Sequence, residues 1–185
     1  MTVLEIIFET HATTVDNEAG IATGWLPGVL SPTGRLQAAD LGARRLGTGI
    51  EAVFTSDLER AVETARIAFA GSGLPVHQDS RLRECNYGEL NGTPMAALAP
   101  LRRRHVDLPF PSGQSYRDVL GATADFLGDL AARRWPYRSR VLLIAHSANR
   151  WALDCLLAGA RLEQLVLNPG SWQPGWHYTL TAPAY

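Results

Sequence analysis

Apolar positions along this chain fall into two rhythms. Short apolar runs bounded by polar or turn residues read as buried strands: Val3-Leu4-Glu5-Ile6-Ile7-Phe8, Ala52-Val53-Phe54-Thr55 and Arg140-Val141-Leu142-Leu143-Ile144-Ala145. Leu74-Pro75-Val76-His77, Leu165-Val166-Leu167 and His177-Tyr178-Thr179-Leu180 are further strand candidates. Between them run helices. Ser31 caps the first and Pro32 opens it, with Leu36, Ala39, Leu41 and Leu46 as its apolar stripe and Gly47 and Gly49 as its end. Ser56 or Asp57 caps a second helix, from Leu58 to about Ala70, and Ser112 or Ser115 caps a third that runs to about Arg134. A fourth spans Asn149 to about Ala158, with Trp151, Ala152, Cys155 and Leu156 on one face.

Strands alternating with helices predict a three-layer α/β/α sandwich around a mainly parallel central sheet. Two stretches break the rhythm. Asp16 to Ser31 is a loop rich in glycine and proline, and long loops in compact domains tend to be functional. Residues 81–112 form a short cap-like excursion over one end of the sheet. The length of 185 residues suits one domain over residues 1–185. A net charge of −1 gives no case for attraction to nucleic acid or to a membrane surface. Cys85 and Cys155 follow no metal or disulfide spacing and read as free thiols of a reducing compartment. With neither a secretory leader pattern nor a membrane-length apolar run, the expected location is cytoplasmic. Oligomeric state stays open, a homodimer included.

Chemistry collects where strands end. His11 follows the first strand, His146 follows Ala145, and Arg60 lies in the first turn of the helix after Thr55. Parallel strands bring such positions to one sheet edge, where open α/β folds gather ligands. A cation in a first helical turn opposes the helix dipole, which makes better sense with an anion beside it. From the residues alone, His11 also reads as a turn histidine bonded to backbone. Glu84 reads as a surface carboxylate paired with Arg81 or Arg83, and Arg102-Arg103-Arg104 as a solvated helix face.

Taken together, these residues resemble the histidine phosphatase superfamily, which includes the cofactor-dependent phosphoglycerate mutases. Thr10-His11-Ala12-Thr13-Thr14, followed by Asn17, is similar to the family's N-terminal Arg-His-Gly signature. Thr23-Gly24-Trp25 and Leu30-Ser31-Pro32-Thr33-Gly34 resemble the stretch entering its first helix. Thr55-Ser56-Asp57-Leu58-Glu59-Arg60-Ala61 resembles its second signature, and Arg81-Leu82-Arg83-Glu84, with Gly88 and Gly92, the segment carrying its acidic proton donor. Pro111-Ser112-Gly113-Gln114-Ser115 resembles the entry to a later helix, and Ala145-His146-Ser147 the C-terminal histidine-glycine motif.

The resemblance implies a phosphoglycerate mutase-like domain that hydrolyses a small-molecule phosphate ester, with no metal and no cofactor. His11 would be the nucleophile, Glu84 the proton donor, and His146 and Arg60 the grip on the phosphoryl oxygens. Asn17 and backbone groups near Gly24 and Ser147 would complete the cradle. Trp25, Tyr87, Arg102 and Arg103 would meet the rest of the substrate. The short excursion favours a phosphatase over a mutase. One departure stands out: Thr10 occupies the position of the family's arginine. Either Thr10 contributes a hydroxyl while Arg150 or an arginine of the 102–104 run reaches in, or the protein binds a phosphorylated ligand with weak or no turnover. Another class, a serine hydrolase centred on Ser147, would need Asp154 and His177 beside it.

Overall fold

The computed structural model describes residues 2–136 and 138–182. The strands are β1 (Thr2–Thr10), β2 (Ile21–Ala22), β3 (Ile50–Thr55), β4 (Val76–Gln78), β5 (Thr93–Pro94), β6 (Arg140–Ala145) and β7 (Trp176–Ala182). The α-helices are α1 (Val15–Glu18), α2 (Pro32–Arg45), α3 (Glu59–Ala68), α4 (Met95–Leu98), α5 (Tyr116–Ala132), α6 (Ser147–Ala158) and α7 (Leu162–Leu165). Five strands form one sheet in the order β4-β3-β6-β1-β7. All its neighbours run parallel except β7, which pairs antiparallel with β1. The expected α/β architecture is therefore present.

Alternation along the strands explains the layers. Leu4, Ile6 and Phe8 of β1, with Val141, Leu143 and Ala145 of β6, pack against Phe126, Leu127 and Leu130 of α5 and Leu153 of α6. Ile7, Leu142 and Ile144 point the other way, to Leu41 of α2 and Ala65 and Ala68 of α3. A further apolar cluster joins the excursion to the domain: Cys85, Tyr87, Leu98, Val106 and Phe110 pack on Tyr116, Ala148 and Trp151. Among the described residues, no helix is long and apolar enough to cross a membrane.

Several local expectations need correction. In α2 the buried face is Gly34, Ala38, Leu41 and Gly42, while Leu36 is 69% exposed. Ala39 and Leu46 are exposed too, because close helix contact selects small residues over large ones here. Neither Ser56 nor Asp57 caps α3. Leu58 holds that position without a side-chain bond, since Ser56 bonds His146 and Asp57 bonds Arg83. Ser115, not Ser112, caps α5. Leu165-Val166-Leu167 is the end of short helix α7 and the turn after it, with Val166 buried against the α6 side. Leu156 is exposed on α6. The Asp16–Ser31 loop contains α1 and β2, and β2 pairs with β5 of the excursion.

Register sets the site. Thr10 pairs with Ala145, and Thr55 with Ile144, so three chains leave the sheet at one level. The loop after β1 is then fixed from both sides. His11 N–H donates to Ala145 O at 3.0 Å, and Ala12 N–H to Thr64 Oγ1 at 3.0 Å. Gly34 presses on this loop so closely that a Cβ there would lie 1.9 Å from Thr13 O. Gly34→Ala should cost about 1–3 kcal/mol of stability by overpacking. Gly121→Ala, in α5 with nothing within 4 Å of a new Cβ, should gain about 0.5–1 kcal/mol. Urea unfolding of both variants checks this, and an undiminished Gly34→Ala midpoint would refute the close packing.

Candidate active site

The convergence of β1, β3 and β6 opens a cleft of about 410 Å³. Thr10, His11, Asn17, Gly24, Arg60, Glu84, Tyr87, Arg102, His146 and Ser147 all line it. Arg60 lies at the centre and is 2% exposed. Its Nε donates to His11 Nε2 at 3.3 Å, and its Nη2 to Gly24 O at 2.8 Å and to His146 Nδ1 at 3.4 Å. The imidazole rings of His11 and His146 lie 5.0 Å apart, centroid to centroid.

These bonds fix both tautomers. His11 Nδ1–H donates to its neighbour Ala12 O at 2.8 Å, leaving Nε2 unprotonated to accept from Arg60. The backbone bond expected of a turn histidine is thus part of how the ring is aimed. His146 accepts from Arg60 at Nδ1 and carries its proton on Nε2, 2.7 Å from Ser56 Oγ. Burial, reinforced by the Arg60 charge, holds His11 down to a pKa of about 3. The same two causes hold His146 well below the ordinary histidine value. Both rings are therefore neutral at physiological pH, and Arg60 with the N-terminus of α6 supplies the positive potential.

Glu84 also lines the cleft. Burial raises its pKa above the ordinary carboxylate value, against backbone donation from Cys85, the Arg60 charge and backbone donation from Ala148. Pairing with Arg81 or Arg83 does not occur: Arg81 bonds Asp79 and Asp129, and Arg83 bonds Asp57. Trp25 does not line the cleft. Its Nε1–H donates to Glu84 O at 2.6 Å and its ring lies 4.5 Å beneath the Arg83 guanidinium, so it braces the Glu84 backbone. Gly24, at φ +55°, leaves room for Asn91, whose Oδ1 a Cβ there would meet at 1.8 Å. The Asn17 Oδ1 accepts from Thr14 N–H within the α1 capping box.

The arginines separate. Arg102 lines the cleft, donating from Nη2 to Met95 Sδ at 2.9 Å, while its Nε has no hydrogen-bond partner among the described residues. Arg103 is exposed and does not line the cleft. Arg150 is also absent from the wall: it bonds Asp154 and Pro169 O and lies over the Trp176 ring. Asp154 is thereby engaged, and both Asp154 and His177 line a different cavity, so no serine-hydrolase triad forms at Ser147. Glu9 turns away from the cleft and is 1% exposed, neutralised by Arg45 at 2.5 Å and Arg44 at 3.4 Å.

Several wall residues went unnoticed in the sequence as parts of a site. Ser56 orients His146, Thr64 ties the His11 loop to α3, and Trp151, Met95, Gln37 and Trp172 complete the lining. Ser56 follows a strand end just as His146 does, which is a readable signal. Among the described residues, no group of His, Cys, Asp and Glu side chains is arranged to hold a metal ion.

Known proteins share this plan. A phosphoglycerate mutase of Schizosaccharomyces pombe is 28% identical over 175 residues, covering 87% of this chain and 82% of its own. A mycobacterial glucosyl-3-phosphoglycerate phosphatase, solved with VO3, superposes with a TM-score of 0.77 at 25% identity, covering 90% of this chain and 86% of that one. Bacillus stearothermophilus YhfR shares the fold, with a TM-score of 0.81 at 24% identity over 94% of this chain and 90% of its own. The family profile described as histidine phosphatase superfamily (branch 1) matches residues 6–172, and the chain belongs to that superfamily.

Proposed function

We propose that this protein is a phosphomonoester hydrolase that turns over a small phosphorylated metabolite through a phosphohistidine on His11. The observation that carries the reading is the unprotonated Nε2 of His11 beside the buried Arg60 guanidinium. A phosphate that draws the Arg60 guanidinium away from the two rings meets the unprotonated Nε2 of His11 on one side and the Arg60 donors on another. His11 Nε2 attacks phosphorus, the bond from phosphorus to the ester oxygen breaks, and Glu84 delivers its proton to the departing alkoxide. Water then attacks the phosphohistidine, Glu84 takes back a proton, and phosphate leaves with the His11 lone pair restored. Arg60 stabilises the equatorial oxygens in both steps, and the phosphate's charge favours protonation of His146 at Nδ1, so that this ring donates to them as well.

Hydrolysis is favoured over mutase chemistry by the short excursion, and because Arg60 and Arg102 are the cations lining the cleft among the described residues. The relatives' names span both activities. Thr10 supports a second reading, a phosphate-ester-binding protein with little turnover. In place of the family's arginine it brings no charge, and a charge-assisted bond of about 1.5–3 kcal/mol is worth about 10–10²-fold in rate.

Incubation of the protein with acetyl phosphate at neutral pH should leave acid-labile phosphate on wild type and none on His11→Ala. Wild type that binds phosphate without becoming labelled would favour the second reading, as would a large gain in activity for Thr10→Arg over an inert parent. Glu84→Gln should lower alkyl phosphate kcat/KM by about 10²-fold or more, while the kcat/KM of a dinitrophenyl ester, whose leaving group needs no proton, falls far less and its kcat falls through the slowed hydrolysis of the phosphohistidine. The donor form of Glu84 persists above its ordinary value of 4.5 and is lost as pH rises through the raised pKa. Alkyl phosphate kcat/KM should therefore carry a descending alkaline limb from this group, and that limb should vanish in Glu84→Gln.

A further inference from the structure

Trp172 is 65% exposed, yet its indole borders the active-site cleft together with Thr10, His11, Ser147 and Trp151. It also borders a smaller cavity of about 110 Å³ lined by Glu9, Thr10, Gln37 and Arg44. The ring thus stands as a partition at the cleft mouth, next to the position where phosphate would meet His11. Its segment, between α7 and β7, is fastened on both sides. Arg150 donates to Pro169 O, and Arg45 donates to Pro174 O at 3.1 Å. Inside this span, Gln173 Nε2 donates to Gly175 O at 3.0 Å. Gly175 packs so tightly on Arg45 that a Cβ would lie 2.1 Å from its Nη2. Both fastening guanidiniums are matched by carboxylates, Asp154 and Glu9. They hold backbone and leave no charge for a ligand.

An exposed indole beside a binding cleft offers a large apolar area for a ligand to cover. The cleft lining also carries apolar side chains, Ile21, Ala22, Met95 and Trp151, among its polar ones. A short, multiply charged alcohol would leave this surface wet. An alcohol with a ring or another extended apolar face would cover it. Building on the phosphatase reading, we propose that Trp172 is a specificity-determining residue that lies against the leaving alcohol. It selects phosphomonoesters whose alcohol presents such a face.

Calorimetric titration with methylphosphonate and benzylphosphonate tests this on wild type, Trp172→Ala and Trp172→Phe. Wild type should bind the benzyl compound about tenfold more tightly, a ring-on-ring contact of the usual size. Trp172→Ala should lose that advantage with its methylphosphonate Kd unchanged, and Trp172→Phe should keep most of it. Equal affinity for the two compounds in wild type overturns the proposal. So does a Trp172→Ala variant that weakens both alike, since that marks a merely structural role, or one that keeps the benzyl advantage. Wild type that binds neither phosphonate nor inorganic phosphate overturns the phosphate cradle itself, and with it the phosphatase reading on which this inference rests.

Discussion

A guanidinium removed from water must find acceptors around its rim, and Arg60 finds them in two imidazole nitrogens and the carbonyl oxygens of Gly24 and Leu26. The rest of the cleft is arranged to meet that demand. An arginine gives protons and takes none, so each histidine must turn an unprotonated nitrogen toward it. The remaining ring protons then need partners of their own, found in Ala12 O and Ser56 Oγ. Two neutral rings beside a permanent cation are easier to bury than two charged ones. The same neutrality leaves an unprotonated nitrogen on each ring. Charge and reactivity are thus settled by a single buried group before any ligand arrives.

Topology makes this possible at modest cost. β1, β3 and β6 are neighbours in register, so His11, Ser56 and His146 emerge at one level without any long loop having to reach across. Arg60 comes one helical turn after Ser56, on α3, which is held by the packing of small residues against α2. The carboxylate comes from the other direction, on the excursion. It is held by Trp25 through its carbonyl, by the backbone N–H of Cys85 and by Asn149, which donates to Arg83 O. Scaffold and excursion therefore contribute different groups: two imidazoles and a guanidinium from the sheet edge, and a carboxylate from the cover.

The sheet and the cluster of His11, Arg60 and His146 were legible in the sequence because both arise from simple periodicity. Buried parallel strands are short apolar runs, and the residue just past such a run lies at the sheet edge. Glu84 was not legible that way. Its burial depends on the folding of residues 81–112 over the cleft, which has no periodic signature, and only the family resemblance singled it out. Leu36 and Leu165 misled for opposite reasons. In α2 the tight approach of α3 favours glycine and alanine over leucine, and Leu165-Val166-Leu167 is too short an apolar run for pattern to separate strand from helix. Arg150 and Trp25 have the right types for ligand contact, but each is drawn to a nearer partner within the protein. Trp172 lay in a glycine- and proline-rich stretch where no pattern points inward.

The place of β1 in the sheet has a consequence for how the protein is made. Glu5 pairs with Arg140 on one side and with Thr179 on the other, so both neighbours of the first strand come from the last third of the chain. Contacts this distant in sequence form late, after the entropy of closing a very long loop has been met. During synthesis the segment that carries His11 emerges before both its partner strands and waits, apolar and unpaired, until β6 and β7 follow. The His11 imidazole is therefore aimed only once β6 has been made, and in the interval β1 needs shielding from other nascent chains.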